Sequence, residues 1–241
     1  MPNFRERAVT TEWMDDLSCQ GEVVHQTLRE LDIINTWLGG NDITLSGLAA
    51  ILTTTDPQKE VVVADIGCGG GDLLIQMARW ARKKNRKVRF VGFDANPHIV
   101  AYARTRTHAY PEIEIRESNI FHSGFQQQTF DVITATLVLH HFDENELVSL
   151  LHHFGRQARI GIVINDLHRH PVAYYAIRWL TRLFSRSPMV QFDAPLSVAR
   201  AFSRLDWRRM LQRAGMITYT LRWRWAFRWQ VVIPTGVTIP G

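Results

Sequence analysis

The chain has 241 residues, 46% of them hydrophobic, and a net charge of +5, which suits one α/β domain with additions or at most two small ones. Two cysteines exclude a disulfide scaffold, so reduced thiols are expected. No run approaches the roughly 18 apolar residues of a membrane span and the first residues lack the apolar core of an export signal, so a cytoplasmic location without stable membrane insertion is expected.

Residues 11 to 52 read as helical, with Thr11 as N-cap and Leu28, Leu31, Ile34 and Leu38 at helix spacing. Gly39-Gly40 stops that helix, and a second runs from Ile43 to Leu52. Residues 1–57 thus form an N-terminal helical cap or lid, whose segment Asn35 to Asn41 either reaches the ligand or only covers the sheet. The remaining residues, 58–241, form the ligand-binding domain.

Val61 to Ile66 is a buried strand broken only by Asp65. The glycines at 67, 69, 70 and 71 end it in a tight turn whose amides a ligand can approach, and a helix with Leu74, Met77, Ala78 and Ala81 on one face follows. Such a strand, turn and helix predict a second strand with an acidic end. Val88 to Phe93 supplies it and runs into Asp94, near the roughly 20-residue spacing of a carboxylate that grips a ribose. A dinucleotide fingerprint fails because Asp72 stands where its last glycine would be, and no Gly-Lys-Ser/Thr follows to make a P-loop.

Asn96-Pro97 opens the next helix, to about Arg106, and a third strand covers Ile113 to Glu117. Phe130 to His141 is the fourth strand and the turn after it, which carries His140 and His141. Asp143 and Glu146 form a capping box for a helix carrying Leu147, Leu150, Leu151 and Phe154. Ile160 to Ile164 is the fifth strand, and Asn165 to His170 lies at its carboxyl end, where open α/β sheets place their chemistry. A helix after Pro171 puts Val172, Ala176, Trp179, Leu180 and Leu183 on one side and Arg178, Arg182 and Arg186 on another, a stripe open to solvent or to acidic lipid. A helix from Ser203 to Ala214 stops at Gly215. Two final strands alternate aromatic with basic residues, as an edge hairpin or a single-stranded nucleic-acid surface would.

The phrase Asp65-Ile66-Gly67-Cys68-Gly69-Gly70-Gly71, with Asp94 on the next strand, resembles the first motifs of class I S-adenosylmethionine (SAM) dependent methyltransferases. "FDVI…LHHF", from Phe130 to Phe142, is similar to the fourth motif of the small-molecule type that acts on ubiquinone and menaquinone precursors. The phrases Ile34 to Gly40, Asn165 to Pro171 and Phe192 to Phe202 resemble bacterial methyltransferases encoded beside type III polyketide synthases. These resemblances imply a Rossmann-like doubly wound seven-stranded sheet, mostly parallel with an antiparallel last strand. They also imply SAM as cofactor and O-methylation of a small phenolic, pyrone or quinol-type acceptor in secondary metabolism. The cofactor residues implied are Asp65, Gly67, Gly69, Gly71, Asp94, Ala95, Asn119, Ile120 and Thr136. Asp65 would attract the ammonium of SAM and Asn119 would accept from the adenine amino group, where the family usually has Asp.

Methyl transfer is an in-line displacement, helped for a phenol by a base. Of the four histidines at strand ends, His168 oriented by Asp166 is the first candidate and His141 the second, while His140 packs and His170 is a further member of the group. No metal is predicted, because the fourth strand ends in Thr136-Leu137-Val138 without the acid that cation-dependent O-methyltransferases use. The nucleic-acid reading lacks an Asp/Asn-Pro-Pro-aromatic phrase after the fourth strand, so no nucleic-acid partner is expected. An NAD-dependent reductase and a SAM-binding protein without turnover compete with the methyltransferase reading. Acceptor identity and oligomeric state are not legible.

Overall fold

A computed structural model describes residues 3–236. A 3-10 turn at Trp13–Asp15 precedes α1 (Glu22–Trp37) and α2 (Gly40–Ile51). The first helix therefore starts at Glu22 and not at Thr11. Glu12 and Asp15 close a capping box around the 3-10 turn, and Gly21, at φ +83°, turns the chain into α1. Then come β1 (Val61–Ile66), α3 (Asp72–Lys83), β2 (Val88–Asp94), α4 (Pro97–Thr107), β3 (Ile113–Glu117), α5 (Ser123–Gln126) and β4 (Phe130–Thr136). A 3-10 turn at Leu139–His141 leads to α6 (Glu144–Gln157), β5 (Ala158–Leu167), α7 (Pro171–Phe184) and α8 (Pro188–Arg200). The chain closes with α9 (Arg204–Arg213), β6 (Thr220–Arg224) and β7 (Arg228–Pro234).

The strands form one seven-stranded sheet in the order β3-β2-β1-β4-β5-β7-β6. β1 to β5 run parallel, and β7 is antiparallel to both β5 and β6. This is the expected doubly wound, Rossmann-like α/β sheet. Its cause is visible in the strands, which are apolar on both faces. Ile66, Phe93, Ile133 and Ile164 join a core with Leu147, Leu151 and Phe154 of α6 and Trp207 of α9. Val63, Phe90, Val132 and Val163, on the alternate positions, join a second core with Leu48 of α2 and Leu74 and Met77 of α3. Each such fully buried side chain contributes about 1.5–3 kcal/mol.

Two local expectations change. The helix α8 is not among the expected elements, because Pro195 interrupts its pattern; Ser187 caps it and its buried Val190 and Val198 hold it to the core. On α7 the inward face is Ala173, Ala176, Ile177 and Leu180. Val172, Trp179 and Leu183, read as sharing one side with Ala176 and Leu180, are exposed together with Phe184. Among the described residues no helix is long and apolar enough to cross a membrane.

Candidate active site

At the carboxyl ends of β1, β2 and β4 lies a cavity of about 810 Å³, closed over by the N-terminal segment, α7 and α8. That is near the top of the roughly 300–1,000 Å³ range of ligand pockets, room for a nucleoside cofactor with a small molecule beside it. Gly67, at φ +65°, faces Val138 so closely that any side chain there would collide with it. Gly69, at φ +52°, donates its N–H to Asp94 Oδ2 at 3.1 Å, while Asp94 Oδ1 accepts from Asn96 N at 3.0 Å. Asp94 thus braces the glycine turn and keeps acceptor capacity for a ligand on both oxygens. Burial raises its pKa. Gly71, at φ +78°, caps α3 against Thr107 behind the turn and is not part of the cavity wall.

Asp65, Asn119, Ile120, Ala95 and Thr136 share that wall. Asp65 is fully buried and bonded to Thr134 Oγ1 at 2.7 Å, and burial pushes its carboxyl up to about 7. No Lys or Arg pairs with it among the described residues, so an incoming ammonium would meet a desolvated carboxylate with no rival cation. Asn119 Oδ1 is engaged by Phe121 N at 2.9 Å, leaving a second lone pair toward the cavity. Thr136 bonds Thr44 of α2 at 2.8 Å.

The opposite wall carries a second cluster. Asp166, fully buried at the end of β5, accepts from Leu139 N at 2.9 Å and from His140 Nδ1 at 2.7 Å. His141 Nδ1 is bonded in the same way to Asp15 Oδ1 at 2.5 Å. An ionised carboxylate only accepts, so each Nδ1 carries a proton and each Nε2 is turned to the other side of its ring. Both face Glu12, with His140 Nε2 3.8 Å from Oε1 and His141 Nε2 4.0 Å from Oε2. Glu12 is buried, its Oε1 has no hydrogen-bond partner, and desolvation pushes it up to about 7. Burial alone would raise Asp15 and Asp166. Hydrogen bonds from His141 and Arg200 nevertheless hold Asp15 below the carboxylate range, and His140 does the same for Asp166.

Distant segments assemble this cluster. Asp193 of α8 accepts from Trp13 N and Met14 N, Ser197 donates to Glu12 at 2.6 Å, and Arg200 donates to Asp15 and to the carbonyl of His141. Glu12, His140 and His141 are the described residues that could hold a metal ion. Their donor atoms stand wider than the about 3.4 Å separation of ligands in a tetrahedral zinc shell. Arg200 already brings a cation to 3.4 Å from Glu12 Oε1.

His168 is placed elsewhere. It lies past the end of β5, outside the cavity wall, where Trp223 Nε1 donates to its Nδ1 at 3.3 Å and Trp229 packs edge-on. Burial, with His170 and Arg169 nearby, lowers its pKa to about 4. The expected His168–Asp166 pair is not formed, because Asp166 is committed to the 139–141 turn. His140, expected only to pack, takes that partner. Sequence reasoning missed Glu12, Asp15 and Arg200; the acid-rich Glu12 to Asp16 stretch was the only signal, and it reads as a helix start.

Residues 57–168 match the family model described as a methyltransferase domain. No curated protein gives a significant match. Among solved structures, the chain is similar to human N-acetylserotonin methyltransferase in complex with SAM, at TM-score 0.63 and 13% identity over 94% of this chain and 63% of that one. It is similar to the CMeT domain of the citrinin polyketide synthase at TM-score 0.59 and 14% identity over 80% of this chain, and spans about half (52%) of that one. Magnesium protoporphyrin IX methyltransferase from Synechocystis PCC 6803, with bound SAM, matches at TM-score 0.53 and 15% identity over 91% and 89% of the two chains. The glycine turn, the unpaired Asp65 and the brace at Asp94 fit the group these folds carry. Residues 57–168 thus match a methyltransferase domain, and the chain shares the fold of methyltransferases solved with SAM bound.

Proposed function

We propose that the protein methylates the hydroxyl of a small, largely apolar acceptor of phenolic, pyrone or quinol type, in secondary metabolism. The observation that carries this is the pair of carboxylate-fixed histidines, His140–Asp166 and His141–Asp15, aimed at Glu12 across a mostly apolar cavity that the cofactor motif also lines. SAM supplies an electrophilic methyl on its sulfonium. Asp94 would hold the ribose, Asp65 the ammonium and Asn119 the adenine edge, which would position the methyl for transfer.

His141 is the base. Its side chain is 23% exposed, against 3% for His140, so an acceptor hydroxyl reaches it more easily. Asp15 fixes its tautomer and stabilises the imidazolium that forms, and Glu12, poised near neutrality, takes the proton onward. Asp166 and His140 hold the 139–141 turn in place. His168, the first candidate in the sequence, lies outside the cavity wall.

Transfer of labelled methyl from SAM to a panel of alkylphenols, resorcinols and quinols tests this, with His141→Ala losing turnover and keeping cofactor affinity. A second reading, that Glu12, His140 and His141 close on a divalent ion, is favoured by the carboxylate on each Nδ1, as in many metal sites. Full turnover in EDTA supports the base; turnover lost to EDTA and restored by a divalent ion supports the metal.

A further inference from the structure

Arg228 opens β7 opposite Leu167, on the sheet face that α2 covers. It is 3% exposed, it lines the cavity, and its Nε and Nη1 find no hydrogen-bond partner. Among the described residues no carboxylate pairs with it. Asp166, the acid whose charge it feels, is already used by Leu139, His140 and Leu167. A desolvated guanidinium without an anion is a costly thing to keep in a core.

The surroundings keep it free. A side chain at Gly40 would come within 2.9 Å of Arg228 Cζ, so the bare backbone there makes room for the guanidinium. Asn35 Oδ1 meets the same point and is also unpartnered. Asp65 is the counterpart, a buried carboxylate without a cation on the wall of the same cavity. An amino-acid zwitterion needs one of each.

We propose that Arg228 is the receptor for a ligand carboxylate, or an equivalent anionic oxygen, bound in the cavity. A planar fork of N–H donors suits that group. Two ligands could bring it: the cofactor through its α-carboxylate, which rests on the placement of its ammonium at Asp65 proposed above, or an acceptor with an acidic substituent.

Calorimetry on Arg228→Met and Arg228→Lys separates the sources. S-adenosylhomocysteine (SAH) carries the carboxylate, and 5′-methylthioadenosine shares the nucleoside without it. If the cofactor is the source, Arg228→Met weakens SAH at least tenfold and leaves methylthioadenosine unchanged. If the acceptor is the source, SAH affinity stays, and binding of a hydroxybenzoate falls at least tenfold while that of a neutral alkylphenol does not. In either case the ligand-free Arg228→Met protein melts no lower than wild type, because an unpaired buried charge has been removed. Should Arg228→Met fold poorly, Arg228→Lys, which keeps the charge without the fork, shows the same selective loss. Unchanged binding of SAH and of both acceptors in Arg228→Met would overturn the proposal. So would a lowered melting temperature that Arg228→Lys restores together with full binding, since the arginine would then be structural. Wild-type protein that binds neither SAH nor methylthioadenosine would refute the cofactor placement itself and the cofactor as the source, and a hydroxybenzoate that then binds wild type and Arg228→Met equally, or not at all, would overturn the proposal.

Discussion

Removing the carboxylate of Asp94 tests the proposed ribose contact. Its two oxygens each take one backbone N–H, from Gly69 at 3.1 Å and Asn96 at 3.0 Å, and each has one further acceptor site for a ribose hydroxyl. A hydrogen bond to a charged group contributes about 1.5–3 kcal/mol, and water takes back part of that when the ligand leaves. Asp94→Ala therefore weakens SAH by about tenfold to a hundredfold, which is about 1.4 to 2.8 kcal/mol. Asp94→Asn, with one acceptor oxygen left, falls between. Burial raises the pKa of Asp94, so wild-type affinity also declines on acidification, as the carboxylate that accepts both hydroxyls is protonated; Asp94→Ala loses that part of the dependence and keeps the part due to Asp65. Calorimetric titration with SAH between pH 5 and 8, with a thermal melt of each variant, reads all of this. Equal affinity in wild type and a folded Asp94→Ala would put the ribose elsewhere.

Gly67→Ala places a side chain against Val138 at a positive φ, which costs at least about 1–2 kcal/mol and shows as a lowered melting temperature with weaker SAH binding. Glu12→Gln flattens the pH profile of turnover, which in wild type rises through about 7 as Glu12 ionises. His168→Ala leaves turnover unchanged, whereas a loss as large as that of His141→Ala would return the base to His168. Asp65 and Glu12, raised by burial to about 7 from an ordinary value near 4, keep protons in the folded chain that the unfolded chain has released. Their contribution to stability is full below about pH 4 and is lost as pH rises through about 7. Urea midpoints across that range fall less steeply in Asp65→Asn.

The strand, glycine turn and acid of the candidate cofactor pocket were legible because they are local. One strand, one glycine turn and the acid at the end of the next strand lie within β1 to β2, and each residue type answers a short-range demand on backbone or charge. The capping box at Asp143 and Glu146 was legible for the same reason. The proposed acceptor half is made of distant pieces. Glu12 and Asp15 meet His140 and His141 only because Asp193, Ser197 and Arg200 of α8 hold the N-terminal turn there, and no periodicity reveals which acid a histidine will face. His168 and Asp166 are two residues apart and look like partners. The backbone amides of the 139–141 turn needed an acceptor, Asp166 became it, and the β6–β7 hairpin covered His168 instead. Arg228 reads as one charge in an alternating edge hairpin. Its burial follows from the packing of α2 over β7, which strand periodicity does not show.

The most direct measurement is single-turnover transfer of labelled methyl from SAM to an alkylphenol by wild type and His141→Ala, with SAH affinity measured on the same samples. General base catalysis contributes about 10²–10⁴ in rate. The expected result is methylation at the phenolic oxygen, slowed by at least a hundredfold in His141→Ala at unchanged SAH affinity. Equal rates in the two proteins, or no transfer to any hydroxyl acceptor by a wild type that binds SAM, would contradict the account.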